Sequence, residues 1–417
     1  MCVYARIAVI CCPISEKFRF LVKLLFVALL LCFSACLSSC SKPRSGDVNL
    51  HLWNPQAAAA YMDQRESWWM HWPRAARDRG TFCVSCHTAV PYAMARPVLR
   101  QYMGGSPPSE FERALLENVA TRVRLWKQIG PFYTDEGEGA NKTAESRGTE
   151  AVLNALILAC NDQGKAQLSE ETREAFEIMW EEQVQEGRSR GAWIWLQFDN
   201  EPWEAPGSEY YGAALAALAV GLTPKSFQSE PQNQSYLSPL RDYLKRDYSR
   251  QSLVNRTMVL WASSKIPNLL TTQEKASLVD ELLKKQESDG GWNLADAAWA
   301  WEGWHKASLL SRWKRSDGTW QSRASDGYAT ALIVLAMLDS GMPAANNHLL
   351  RAQAWLIANQ NRERGEWPSS SLNQRFKPSS DFALFMSDGA TAYAVLALIR
   401  SQEASESFKA TASLGSR

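Results

Sequence analysis

The chain has 417 residues, 46% of them hydrophobic and 21% charged, and its formal net charge is +1. That balance excludes wholesale disorder, and the near-neutral charge excludes a broad basic footprint for nucleic acid. What stands out is 18 Trp, more than packing alone asks for, and nine Cys crowded toward the N-terminus.

Residues 1–39 combine Arg6, Lys17, Arg19 and Lys23 with a short apolar run and small residues before Cys40, the pattern of an export signal. Leu37-Ser38-Ser39-Cys40 resembles a bacterial lipobox, which implies cleavage before Cys40 and lipidation of its thiol. A plain secretory signal or an uncleaved anchor is the alternative, but the apolar run is short for a membrane span. The expectation is an extracytoplasmic, periplasm-facing lipoprotein of the outer membrane, held by lipid alone, with residues 40–55 as its tether. Cys83, Cys86 and Cys160 then remain as thiols, too few for a disulfide framework. Cys160 lies in an apolar run and reads as a buried small hydrophobe.

Residues 56–110 contain Cys83-Val-Ser-Cys86-His87. This resembles the c-type haem attachment motif: two thiols on one turn bond the haem vinyl groups, and the adjacent His is the proximal iron ligand. Export meets the condition that such attachment occurs outside the cytoplasm. A Cys83–Cys86 disulfide or redox pair is the second reading; zinc is the third and is not expected, because no further ligand pair of suitable spacing exists. For the distal iron ligand the candidates are Met103, Met94, His71 and Met70, each of which has core packing as its ordinary role. Trp68, Trp69, Trp72, Pro91 and Tyr92 are candidate walls. The segment is thin for a complete cytochrome, with one helix before the motif and one after. A single covalent haem c should therefore pack on the helices beyond residue 110.

From 111 to 402 one pattern recurs. Ala-rich runs apolar nearly all round, at 146–159, 207–222, 325–338 and 387–399, alternate with amphipathic ones at 171–185, 272–286 and 347–360; residues 251–265 form a less typical inner run. Inner and outer helices in alternation predict an all-α fold, an α/α toroid of five to six hairpins preceded by the short haem-binding segment. Residues 403–417 read as a polar tail. Gln286 to Gly290 and Trp292, and Gln360 to Gly365 and Trp367, share a Gln–Gly–Trp pattern that Gln185, Gly191 and Trp193 repeat loosely. These residues resemble the QW motif of the squalene–hopene cyclase and protein prenyltransferase superfamily.

The activity that this resemblance implies is less complete. The cyclases protonate an alkene with an Asp-rich motif at an inner-helix start, where this chain has Ser325-Asp326-Gly327 and Ser387-Asp388-Gly389. Asp326 and Asp388 are catalytic candidates only if the chain is a divergent isoprenoid cyclase; a lone Asp there is ordinarily a cap. Trp195, Trp203 and Glu204, with Trp301, Trp304 and His305, lie in two aromatic-rich loops suited to a pocket for an apolar or isoprenoid ligand. The leading expectation is haem binding and electron transfer with an unidentified redox partner. The rivals are the cyclase and a non-catalytic ligand- or protein-binding toroid.

Overall fold

A computed structural model describes residues 48–298, 313–378 and 380–414, with side chains to residue 407. The described residues form no strand, only isolated bridges such as Ala76 with Phe82, and the protein is all-α. Twelve longer helices are numbered α1 (Pro55–His71), α2 (Ala89–Tyr102), α3 (Glu110–Arg124), α4 (Lys142–Asp162), α5 (Glu170–Glu181), α6 (Ser208–Leu222), α7 (Pro231–Asp247), α8 (Leu253–Ala262), α9 (Thr272–Lys284), α10 (Gly327–Asp339), α11 (Asn347–Asn359) and α12 (Phe385–Leu414).

Local signals set most of the helix starts. Pro55 occupies the first turn of α1 behind an Asn54 cap, where its missing N–H costs nothing. Ser109 with Glu112, and Thr271 with Glu274, form reciprocal capping boxes on α3 and α9. Asp326 accepts from the Ala329 N–H and caps α10.

Even-numbered helices pack on one another in chain order, α2 on α4, then α6, α8, α10 and α12, and α12 packs again on α2. Odd-numbered helices lie against this set: α1 touches α12 and α2, α3 touches α2 and α4, and α11 touches α10 and α12. Burial follows the same division. All of α10 from Gly327 to Met337 is buried, whereas α9 buries only Leu278 and Leu282. By length and composition Asp381–Ser407 could cross a membrane, but 78% of its apolar stretch is buried inside the protein, as befits a core helix. The helix continues through Leu414 and so takes in most of the expected polar tail.

The Gln–Gly–Trp pattern proves to be a docking device. Gln286 Nε2 donates to the carbonyls of Gly290 and His348, and Gln360 Nε2 to those of Gly365 and Asn54. Each thus ties its own turn to the start of another outer helix. In the third copy the equivalent is Gln183, which bonds the carbonyls of Gly191 and Tyr236, and not the expected Gln185. The Trp indoles reach back to their own outer helices: Trp193 to Met179 O, Trp292 to Leu282 O and Trp367 to Leu356 O. Gly365 has φ +94°, and a Cβ there would stand 2.0 Å from Ala57 O on α1. Only glycine permits that approach, so the last turn of this kind docks on the first helix of the described chain.

One helix was hidden from the sequence. α2 begins two residues after His87, although Pro91 and Pro97 argue against a helix there. Pro91 falls in the first turn, where no N–H is needed, and Pro97 is accommodated in the interior.

Candidate functional site

The stretch leading to the motif is fixed from several sides. Asn118 of α3 brackets Phe82, accepting from its N–H at 2.8 Å and donating to its carbonyl at 3.0 Å. Arg122 donates to Thr81 Oγ1 and to the Glu150 carboxylate, an ion pair with both side chains fully buried. The Trp69 indole donates to Cys83 O at 2.5 Å. Ser85 Oγ then accepts from the Thr88 and Ala89 N–H groups and turns the chain into α2.

His87 is buried among aromatic rings. Phe385 stacks on its face at 3.6 Å between centroids, Trp69 meets it edge-on at 5.0 Å, and Trp203 is tilted against it at 5.7 Å. Burial holds the imidazole well below its usual pKa, with the Arg65 charge adding to the effect, so the ring is neutral near pH 7. Nδ1 and Thr88 Oγ1 are 2.9 Å apart, and Thr88 Oγ1 donates to Asp388 Oδ2 at 2.7 Å. With that hydroxyl hydrogen committed to Asp388, Nδ1 must be the donor and carries the proton. Nε2 therefore carries the lone pair, the arrangement found when a carboxylate chain orients a ligating His.

Asp388 is not a simple helix cap. It accepts from Tyr61 OH at 2.7 Å and from Arg65 Nε at 2.8 and 3.1 Å, besides Thr88. Burial pushes its carboxyl up, and Arg65 and the two hydroxyls oppose that. Arg65 also binds Asp381 through its side-chain and backbone oxygens. With four donor contacts and a guanidinium on one carboxylate, the Arg65–Asp388 pair is held as an ion pair. Asp326, by contrast, caps α10 and also accepts from the Leu294 N–H and Ser369 Oγ. Burial lifts it to about 6 against those hydrogen bonds. Neither Asp is placed as an unbonded acid.

Cys83 and Cys86 are free thiols, 4% and 1% exposed. Burial pushes Cys83 up to about 12, opposed by Arg77 and Tyr133, and pushes Cys86 well above its usual value, with the Glu204 carboxylate adding to it. Both are therefore protonated and poor nucleophiles once folded. Burial in turn lifts Glu204 to about 7, with Cys86, Asn200 and Lys142 opposing.

The remaining site residues divide by position. Trp203 links His87 to Tyr328 at 5.7 Å, and Tyr328 continues to Tyr393 at 5.3 Å and thence to Tyr211. Tyr328 and Tyr211 stand in the first turns of α10 and α6, and Tyr393 in the third turn of α12. Trp195 packs on Gly212 and donates to Trp203 O, so it supports Trp203. Trp301, Trp304 and His305 lie outside the described residues.

Among the distal candidates, Met103 is exposed past the far end of α2, and that helix, about 20 Å long at 1.5 Å per residue, separates it from His87; the structure does not bring the two together. His71 ends α1 on the surface with Nδ1 bonded to Ser67 O. Met70 is half-buried beside Trp69, and Met94 is buried two turns into α2. Of the expected walls, Trp69 touches His87, whereas Tyr92 turns to Asp63 and Ser109. Sequence reasoning misses Tyr61, Arg65, Thr88 and Phe385, since Arg65 and Asp388 are 323 residues apart in the chain. Cys160 lines a separate cavity of about 660 Å³ near the far end of α2, with Val98, Leu115 and Ile399. Compared with protein-family models and with curated proteins, the chain matches none.

Proposed function

We propose that this chain is an exported c-type haem protein that transfers single electrons, built on an α/α toroid of six hairpins and anchored by lipid on Cys40. The cyclic order of the even-numbered helices supports the toroid, with α1 and α2 as its first hairpin and the haem-attachment turn as the link between them. On this reading the motif belongs to the ring itself.

The observation that carries the haem assignment is the state of His87: neutral, its Nδ1 anchored through Thr88 to Asp388, next to two free thiols within one turn. The donor set fits the group. Cys83 and Cys86 would hold the vinyl carbons as thioethers and His87 Nε2 the iron, with Trp69 and Trp203 as apolar walls. Phe385 covers one face of the imidazole. When bound, haem would supply a one-electron couple at iron. The protein's own part is to fix the tautomer, exclude water and set the local charge.

Because both thiols are buried and protonated in the fold, attachment must precede folding. Expression with a c-type maturation system should give a covalent haem visible in the reduced-minus-oxidised spectrum and retained after acid extraction. Cys83→Ala should leave a single thioether with a shifted band, and Cys83→Ala/Cys86→Ala should abolish attachment. Mixing free haem with the folded, haem-free protein should produce no covalent adduct. A wild-type protein matured in this way without covalent haem would sink the proposal.

A further inference from the structure

The most anomalous group in the molecule is Glu66. It is 0% exposed, and neither carboxyl oxygen has a hydrogen-bond partner. An ionised carboxylate cannot persist there, because desolvation without a counter-charge costs too much. Among the described residues packed around it, no cation is left to pair with it. On its own helix Arg65 is committed to Asp388 and Asp381, and Asp63 is paired with Arg96 of α2. Tyr92 of α2 donates to Asp63, and Glu112 of α3 pairs with Arg100 and Arg96. From α12 comes only Asp388. Burial, then the charges of Asp388 and Asp63, lift Glu66 to about 8.

Its position gives this a use. Glu66 and Trp69 are three residues apart on one face of α1, and Trp69 meets the His87 ring at 5.0 Å. A cavity of about 10 Å³ lies between Tyr61, Met62, Arg65, Thr88, Tyr92 and Asp388, room for about one water. Tyr61 and Arg65 also line an outer cavity of about 500 Å³ that reaches Gln64, Glu363 and Arg364 on the surface. Glu66 lines neither cavity, but the inner one is bounded by its chain neighbour Arg65 and by Thr88, the partner of His87 Nδ1.

We infer that Glu66 is the proton-exchange group of this site: its carboxylate takes up a proton when the centre held by His87 gains an electron, and releases it when the electron leaves. The inference rests on the haem reading proposed for His87. Per event, one electron arrives from an external one-electron donor, the iron passes from ferric to ferrous, and one proton moves from solvent to a Glu66 oxygen. No bond between heavy atoms forms or breaks. The coupling is electrostatic: the extra positive charge of the oxidised centre favours the carboxylate, and its loss favours the neutral acid.

Three measurements test it, on the haem-loaded protein and on the haem-free chain. First, urea unfolding of the haem-free wild type and of Glu66→Gln is followed from pH 4.5 to 9. The folded carboxyl binds its proton more tightly than the unfolded one, so its contribution to stability is full below the usual 4.5 and is lost as pH rises through about 8. Relative to Glu66→Gln, the wild-type folding constant should fall by up to tenfold per pH unit in that window. Parallel curves would overturn the inference whether or not haem binds. Second, the midpoint potential of the loaded protein should drop more steeply between pH 6 and 9 in the wild type than in Glu66→Gln, where Glu204 beside Cys86, lifted to about 7, still titrates. Equal slopes would overturn the coupling. Third, infrared difference spectra of the wild type alone should show a carboxylic acid carbonyl band appearing on reduction. This last readout does not depend on the variant folding, and its absence counts against the inference. A failure to load haem at all would instead remove the reading on which the inference stands, an outcome that the first measurement distinguishes from an error about Glu66.

Discussion

Replacing Asp388 by Asn is the sharpest probe of the site, because shape is kept and only charge and acceptor capacity change. Asp388 has a side chain 3% exposed and Arg65 one of 5%, so solvent screening gives little relief. An amide can accept on one atom only. Its NH2 must face either the Arg65 Nε–H or one of the hydroxyls of Tyr61 and Thr88, all of which now donate. Removing one partner of a buried pair typically costs about 3–5 kcal/mol, and that is the loss expected for Asp388→Asn in urea unfolding at pH 7. In the double variant Arg65→Met with Asp388→Asn, the second change should cost far less than it does alone, since the stranded guanidinium is gone. Asp326→Asn is the comparison: it keeps the cap to the Ala329 N–H but turns its NH2 toward the Leu294 N–H, so the loss expected there is that of one buried hydrogen bond, about 1–3 kcal/mol, with no guanidinium stranded. A cost for Asp388→Asn below about 1 kcal/mol, or strict additivity with Arg65→Met, would refute the ion-pair description. It would return Asp388 to the ordinary role of an inner-helix cap.

Two further predictions concern the docking of the helices on one another. Gln183→Leu strands the Gly191 and Tyr236 carbonyls and should cost about 1–3 kcal/mol, while Gln185→Leu should lie within about 0.5 kcal/mol of wild type; equal effects in urea unfolding would remove the assignment of Gln183 as the docking residue. Gly365→Ala forces a Cβ into the Ala57 carbonyl at positive φ, so it should destabilise by more than the roughly 1–2 kcal/mol of backbone strain alone. Gly164→Ala, also at positive φ but with open space around it, should cost only that strain, and similar midpoints for the two variants would show that Gly365 makes no close docking contact.

The all-α class was legible because inner and outer helices differ in composition: a run such as 327–339, buried on every side, cannot be confused with 272–284, apolar on one stripe. Helix α2 was not, because local rules treat Pro91 and Pro97 as breakers and only tertiary packing shows them tolerated. The motif Cys83–His87 was visible for the opposite reason, since its chemistry depends on adjacent residues. Its supporting shell was invisible. Arg65, Tyr61 and Asp388 meet only because α12 packs on α1, and Asp388 by itself carries the signature of a cap. The sequence pattern points to Gln185 instead of Gln183 because the third turn is longer than the other two. The extra length displaces the docking Gln by two positions while leaving its carbonyl partners equivalent.

The same packing sets the electrostatics at His87. His87 immediately precedes the cap of α2, Phe385 and Asp388 stand in the first turn of α12, and Tyr328 and Tyr211 in the first turns of α10 and α6. Phe385 reaches His87 directly, Asp388 through Thr88 and Tyr328 through Trp203, so the N-termini of α2, α10 and α12 lie near one another. Each carries the partial positive charge of unpaired N–H groups, equivalent to about half an elementary charge. Such a field favours a neutral imidazole, stabilises the Asp388 carboxylate and disfavours added positive charge at Nε2. Arg65 cancels Asp388, so the pair contributes orientation more than net field. Glu66, and Glu204 beside Cys86, are then the nearby acids whose charge can follow that of the centre, because Asp63, Glu112, Asp381 and Asp388 are already committed to arginines.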